Sequence, residues 1–177
     1  TIVLDRVEQV WSQRRDPAMV WNGADDLEAR FWLGYDAGRL WIAGRVRDDG
    51  LVPGKVGAEW HQGDAIELFL DLTEQAPAAG SPAEFGPDVV QLFLMPFSPE
   101  RPWGLMDWRS RPASPSGASL TGVEFVCRRE SDEVYTFEAL LPLHNFPRIA
   151  GRAEVGFSIA VDDHDPLRPE RYQYLSW

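Results

Sequence analysis

The sequence predicts an all-β fold, an antiparallel β-sandwich of jelly-roll type with about ten strands and at most short helical turns. Three observations predict it. Apolar residues recur at every second position over most of the chain, as in ARFWLGYD (29–36) and EVGFSIAVD (154–162). Connections rich in proline and glycine separate these short runs. No segment of the sequence keeps a helical period beyond a single turn.

The individual strands follow from the alternation. A first, less regular strand is expected within TIVLDRVEQV (1–10), and PLHNFPR (142–148) is expected to form a short helical or turn element. The turn DAGR joins the second and third strands, and SDE joins two later ones in a hairpin. The remaining predicted strands are 29–36, 40–49, 65–72, 89–97, 103–109, 120–130, 133–143, 154–162 and 171–177.

Successive strands that run in opposite directions place their connections alternately at the two ends of a sandwich. The loops at 47–63, 98–102, 130–133 and 162–171 then share one end. The residues with binding chemistry that this end collects are Asp48, Asp49, Trp60, His61, Trp103, Asp162, Asp163, His164 and Asp165. The order depends on every predicted strand being present, and 103–109 has the weakest pattern.

Composition limits the classes of partner. With 177 residues, of which 44% are hydrophobic, the chain suits one domain spanning 1–177. It begins with Thr1 and without a signal peptide, so we expect a domain cut from a longer protein. A net charge of −11 disfavours nucleic acid and anionic membranes. The one cysteine, Cys127, permits no internal disulfide and reads as a small buried apolar residue.

Eight tryptophans are an unusual number for this length. Trp60, in GAEWHQGD (57–64), precedes a strong strand, where an exposed indole could stack on the C–H face of a sugar ring. The alternative is an indole folded back over the core. Trp32 and Trp41 lie across the DAGR turn on one face, where they form either an aromatic platform or a surface that another strand covers.

Glu67 lies in mid-strand. In AIELFLDL (65–72) it shares the side of Phe69 and points away from Ile66 and Leu68. A carboxylate there could accept hydrogen bonds from two neighbouring sugar hydroxyls. The alternative is a solvated face on which Glu67 pairs with an arginine.

Carboxylates cluster in RDD (47–49) and VDDHDP (161–166). Calcium takes six to eight oxygen ligands, so these loops predict a cation site; the alternative is that these aspartates are ordinary turn residues. The predicted metal ligands are Asp48, Asp49, Asp162 and Asp165.

Catalysis has little support in the sequence. Neither a zinc-binding HExxH motif nor a G-x-S-x-G nucleophile motif is present. A glycosidase needs two carboxyl groups, for which Glu67 and Asp163 are the candidates. The sequence therefore favours a non-enzyme.

Two segments carry a family resemblance. DDLEARFWLGYDAGRLWIAGRVRDD (25–49), followed by W-x3-DAIELFLD (60–71), resembles the family 9 carbohydrate-binding modules and the wider DOMON-like sandwich group. That pattern has a hairpin ending in V-x-D-D, then a tryptophan, then D-S-V-E-L-F-L-D. VYTFEALLPL (134–143), EVGFSIAVDDHD (154–165) and RYQYLSW (171–177) are similar to the closing strands of the family.

The resemblance implies a sandwich that binds sugars without cleaving them, often with structural calcium and no other cofactor. It implies an extracellular or periplasmic location, with a catalytic domain attached in the same chain. It places the stacking tryptophan at Trp60 and the hydrogen-bonding glutamate at Glu67. The predicted ligand-binding residues are Trp60, Glu67, Gln91, Phe93, Trp103 and Asp163.

The sequence departs from the family pattern twice. Sugar-binding members have a basic residue near Phe93, and VVQLFLMPF (89–97) has none. The second stacking tryptophan of the family follows the closing S-W, for which Trp103 or Trp108 could substitute. The predicted function is non-catalytic binding of an oligo- or polysaccharide.

Two alternatives stay open at this point. One is a haem-binding or electron-transfer domain with Met95 or Met106 and a histidine as axial ligands. The other is an accessory domain without a ligand.

Overall fold

The computed structural model describes residues 1–10, 21–53, 63–71, 89–98, 103–107, 120–149, 154–164 and 172–177, with the side chains of 103–107, 172 and 173 excepted. These residues form two antiparallel sheets of five strands each. The strands are β1 (Ile2–Leu4), β2 (Leu27–Tyr35), β3 (Arg39–Asp48), β4 (Ala65–Asp71), β5 (Val89–Leu94), β6 (Trp103–Asp107), β7 (Glu124–Arg129), β8 (Val134–Pro142), β9 (Gly156–His164) and β10 (Tyr172–Ser176).

The strand order is β1-β2-β3-β8-β7 in one sheet, here sheet A, and β10-β9-β4-β5-β6 in the other, here sheet B. The predicted all-β sandwich is confirmed, and its ten described strands coincide with the predicted runs to within a few residues. The helical content of the described residues is two 3-10 turns, Val7–Gln9 and Leu143–Asn145. The second lies within PLHNFPR, where a short helical element was predicted.

The hydrophobic core lies between the sheets. Because side chains alternate across a strand, every second residue faces inward. Phe31 and Val46 of sheet A and Leu68 and Leu92 of sheet B are all buried in one cluster. Fully burying a side chain of this size contributes about 1.5–3 kcal/mol, so this apolar layer is the main source of stability.

The ends of several strands meet at one end of the sandwich, as the strand directions predict. The N–H of Asp48, at the end of β3, donates to the carbonyl of Glu133 before β8 at 2.8 Å. The N–H of His164, at the end of β9, donates to the carboxylate of Asp64 before β4 at 2.8 Å. The ring of Phe97, after β5, lies 5.8 Å from that of Tyr135. One end of the sandwich therefore gathers the loops that carry the aspartates.

Gly44, in the middle of β3, permits close packing of two core aromatics. The rings of Phe31 and Phe137 lie 6.0 Å apart at the position opposite this glycine. A Cβ atom at position 44 would lie 2.9 Å from Cδ1 of Phe31 and would overlap the ring of Phe137. The core at this point therefore has no room for a side chain at 44.

Gly44→Ala should lower the free energy of unfolding by about 1–3 kcal/mol, because overpacking forces both rings from their positions. Urea denaturation measures the change. Gly34→Ala on β2 is the matched control, since a Cβ there meets nothing within 4 Å. Equal effects of the two substitutions would contradict this account of the core.

Candidate functional site

A row of polar side chains crosses the outer face of sheet B, the face opposite the core. Glu67 on β4 stands opposite Phe93 of β5 and Ala160 of β9, and Asp162 of β9 stands opposite Tyr174 of β10. Gln91 lies diagonally from Glu67 on β5. Diagonal neighbours in an antiparallel sheet are within reach of long side chains, so four strands supply one polar row, consisting of Gln91, Glu67, Asp162 and Tyr174.

Glu67 is hydrogen-bonded within this row to the side chains of Asp162, Tyr174 and Gln91. Burial of the carboxyl group, whose residue is 3% exposed, raises its pKa from 4.5 to about 7, and the three hydrogen bonds oppose that shift. The pairing of Glu67 with an arginine, the alternative at the level of the sequence, is not the arrangement among the described residues. A carboxyl group near pKa 7 exists in both forms at neutral pH.

Tyr174 keeps its proton in this setting. Burial raises the pKa of its phenol, and the neighbouring charges of Glu67 and Asp162 raise it further. The hydroxyl group is therefore a donor to Glu67 at any physiological pH. The row fixes the position of Glu67 from both sides.

The outer face of sheet B is buried around Glu67. Phe69 is 5% exposed and Phe93 is fully buried, as Glu67 nearly is. Alternation correctly predicts that Glu67 lies on the side of the strand opposite Ile66 and Leu68, but it does not tell whether that side is covered.

Three carboxylates meet at the aspartate-rich end of the core. Asp48 ends β3 of sheet A, Asp163 lies on β9 of sheet B, and Asp64 directly precedes β4 of sheet B. Each offers an oxygen within 4.8 Å of the other two, and all three residues are at most 1% exposed. This group is called the aspartate cluster below.

The carboxylates of the aspartate cluster repel one another. Burial raises the pKa of Asp64 well above its ordinary value, and the charges of Asp48 and Asp163 add to that shift. Backbone N–H groups of His164 and Val52 act in the opposite direction by donating to the Asp64 carboxylate. Like charges confined in a buried volume repel, and a bound cation would cancel this repulsion.

The donor set fits calcium. Calcium prefers carboxylate and carbonyl oxygens at about 2.3–2.6 Å, so two of its ligand oxygens are at most about 5 Å apart. The oxygens of the aspartate cluster meet that condition. Loop carbonyls or water would complete the shell, since three side chains supply fewer ligands than calcium takes.

The structure redistributes the predicted site residues. Asp162, a predicted metal ligand, lies on the outer face with Glu67, whereas Asp163, a predicted sugar ligand, belongs to the aspartate cluster. The two lie in the opposite places to those predicted, because adjacent residues of a strand face opposite sides. Asp49 is exposed and lies outside the cluster. Asp64 was missed, although its place two residues before the inward-facing Ile66 was a readable signal.

Other predicted residues lie beyond what the structure describes. Trp60 and Asp165 are outside the described residues. The backbone of Trp103 begins β6 in register with core-facing Leu94, while Gly104 is the residue opposite Phe93. The register therefore puts position 104, and not 103, beside Phe93.

Glu67→Gln should stabilise the protein at neutral pH. The folded state holds the Glu67 proton up to a pKa of about 7, against 4.5 ordinarily, so the wild-type free energy of unfolding falls as pH rises between these values. The free energy of unfolding of the wild type falls by about 3 kcal/mol in total over this range. Glu67→Gln does not lose this stability, because glutamine does not titrate. Urea denaturation from pH 4.5 to 8 measures the difference. Glu28→Gln on sheet A is the control. If Glu67→Gln kept the wild-type dependence of stability on pH, the burial of this group would be contradicted.

A family model described as "Carbohydrate family 9 binding domain-like" matches residues 5–177. No curated protein shows significant sequence similarity to the chain. Among the described residues there is no helix with the length and apolar character needed to span a bilayer.

Solved structures share the fold. A family 9 carbohydrate-binding module from Caldicellulosiruptor kristjanssonii in complex with glucose superposes with a TM-score of 0.56 at 16% identity, over 85% of this chain and 66% of that one. The same kind of module in complex with cellotriose gives 0.55 at 15% identity, over 85% and 65%. A protein of Bacteroides uniformis gives 0.57 at 12% identity, over 99% and 75%.

This chain thus spans just under two thirds of the two Caldicellulosiruptor chains. Similarity at this level of identity establishes the sandwich architecture, and the family model, which spans nearly the whole sequence, establishes the family. The chain belongs to the family of carbohydrate family 9 binding domain-like proteins.

Proposed function

We propose that the chain binds an oligo- or polysaccharide without cleaving it, and that the sugar is hydrogen-bonded by Glu67 and stacked on Trp60. The observation that carries this is the polar row on sheet B, in which Gln91 and Tyr174 hold the Glu67 carboxyl group in place. A preorganised carboxylate accepts hydrogen bonds from two vicinal hydroxyls without losing side-chain entropy on binding. Family membership supplies the ligand class.

The burial of Glu67 affects how a sugar would reach its carboxyl group. Because the residue is 3% exposed, the ligand must displace whatever covers this face before its hydroxyls reach the carboxylate. Hydrogen bonds are stronger in the low dielectric of such a site than at an open surface. Phe69 and Phe93, on the same face, provide apolar surroundings for the C–H groups of the ring.

The positions of the carboxyl groups argue against hydrolysis. Glycosidases hold two carboxyl groups about 5–9.5 Å apart on either side of one bond. Glu67 and Asp163, the candidates from the sequence, lie on opposite faces of sheet B, one outside and one in the aspartate cluster. Glu67 and Asp162 are in direct hydrogen-bond contact, which leaves no space for a glycosidic bond between them.

Glu67→Gln should weaken binding of cellotriose by about 10–100-fold, the loss expected for hydrogen bonds to a charged group. Trp60→Ala should weaken it by about tenfold through lost stacking. Isothermal titration calorimetry measures both, and soluble xylan tests a second sugar. Glu28→Gln on β2 is the control and keeps wild-type affinity. Unchanged affinity in both site variants would reject this site.

We propose further that the aspartate cluster binds a structural calcium ion through Asp48, Asp64 and Asp163. The cluster joins the ends of both sheets, so a cation there would tie β3 to β4 and β9. It would replace repulsion between buried carboxylates by attraction to one ion. The ion has no chemical step to perform, since its surroundings are the end of the core.

Calcium should raise the melting temperature, and EGTA should lower it. At a calcium concentration of 100 times Kd, the stabilisation is about 2.7 kcal/mol. Asp64→Asn should remove most of the calcium-dependent rise, because the cluster loses one carboxylate ligand. Differential scanning calorimetry measures both effects, with Asp49→Asn as the control that keeps the response. A wild-type protein with no calcium-dependent rise would contradict the proposal.

The family resemblance also suggests an extracellular or periplasmic location and a catalytic domain elsewhere in the polypeptide. The location and the attached catalytic domain are part of the proposal, and family membership is their only support. A non-catalytic module serves such an enzyme by keeping it near its polysaccharide, which raises the effective concentration of substrate.

A further inference from the structure

The outer face of sheet A exposes large aromatic side chains. Trp32 on β2 is 46% exposed and Trp41 on β3 is 39% exposed. The alternatives from the sequence were a platform or a covered surface, and both indoles prove accessible. Large exposed apolar groups gathered on one face mark contact surfaces more often than isolated ones do.

A groove lies beside Trp32. Register places Trp32, Ala43, Glu138 and Val126 in one row across β2, β3, β8 and β7. The small Ala43 stands between larger neighbours, so the middle of the row is hollow. The resulting groove has a volume of about 440 Å³ and is lined in part by these four residues.

Polar groups stand within the same groove. Thr136 on β8 and Arg128 on β7 form the neighbouring register pair and also line it. Arg128 offers donors, Glu138 offers acceptors, and the Thr136 hydroxyl can do either. One cation and one anion balance, so the lining is close to neutral. An indole wall with balanced donors and acceptors suits a neutral, hydroxyl-rich ligand.

The rest of this face is consistent with a neutral ligand. Arg45 pairs with Glu130 at 3.0 Å, and Arg30 pairs with Glu28 at 3.0 Å, so these guanidinium groups are already matched by carboxylates. Arg39 lies over the ring of Trp41 at 5.5 Å and takes up one face of that indole. A docking surface for a protein would instead be depleted of charge at its centre, whereas this groove has Glu138 in its central row.

We propose that the groove between Trp32 and the Val126–Arg128 segment is a second binding site for a neutral glycan chain. It lies on sheet A, the sheet opposite the one that carries Glu67. The ligand class rests on the proposed function, while the location does not. With sites on opposite outer faces, one protein molecule would bind two glycan chains, or two segments of one glycan chain, at once.

The test uses a background in which the first site is disabled. Cellohexaose and soluble xylan are titrated calorimetrically into Glu67→Gln, Trp60→Ala and the double variant of those two. Weak binding should survive in all three, and adding Trp32→Ala should weaken what survives by about tenfold or more. The wild-type protein should bind two short oligosaccharides per chain.

Two further variants separate the groove from general surface effects. Ala43→Leu fills the hollow without removing an aromatic group, and it should also abolish the surviving binding. Tyr35→Ala is the matched control, because Tyr35 is an aromatic residue on the same strand that is 83% exposed and outside the groove. Circular dichroism confirms that each variant is folded.

The outcomes distinguish the two proposals. The second site would be overturned, and the first left standing, by either of two results. One is residual binding that neither Trp32→Ala nor Ala43→Leu changes. The other is no residual binding in the first-site variants together with one bound oligosaccharide per wild-type chain. Binding that ignores Glu67→Gln and Trp60→Ala but disappears with Trp32→Ala would support the groove and reject the site at Glu67. A wild-type protein that binds neither glycan would overturn both.

Discussion

The alternation of side chains along β4 and β9 places the buried carboxyl groups of these strands on the two opposite faces of sheet B. On the inner side, Asp64 and Asp163 join Asp48 at the end of the core. On the outer side, Glu67 and Asp162 share a hydrogen bond. A shift of one residue in the register of either strand would move its carboxyl groups to the other face of the sheet and so break up both groups. The two candidate sites therefore depend on the same pairing that buries Ile66 and Leu68 in the core.

Both sites have a cost in stability. A carboxyl group that loses water favours its protonated form, and this explains the raised pKa values of Glu67 and Asp64. The apolar layer between the sheets supplies the stability that offsets the cost. A preorganised polar group in a dry site binds a ligand more strongly than the same group in water.

The two outer faces of the sandwich differ in character. The face of sheet B is buried and holds its polar groups in one connected row, so the proposed ligand would gain strong hydrogen bonds there but would have to displace a cover. The face of sheet A is exposed, with Trp32 beside a hollow above Ala43. Stacking and rim hydrogen bonds in that groove would give weaker and faster binding. Two sites of unequal strength on opposite faces would suit a module that holds a polysaccharide by avidity.

The strands, the hairpin of β7 and β8 and the end at which the aspartates gather could be predicted from the sequence, because alternation and strand direction are local or topological properties. It also identified Glu67 as an outward carboxylate in the middle of a strand. Only the packing of the two sheets shows that Asp64 lies beside Asp48 and Asp163. It also shows that the Glu67 face is buried while the Trp32 face is open. Burial and proximity depend on how two sheets and their connections pack in space, and a pattern read along one strand does not contain that information.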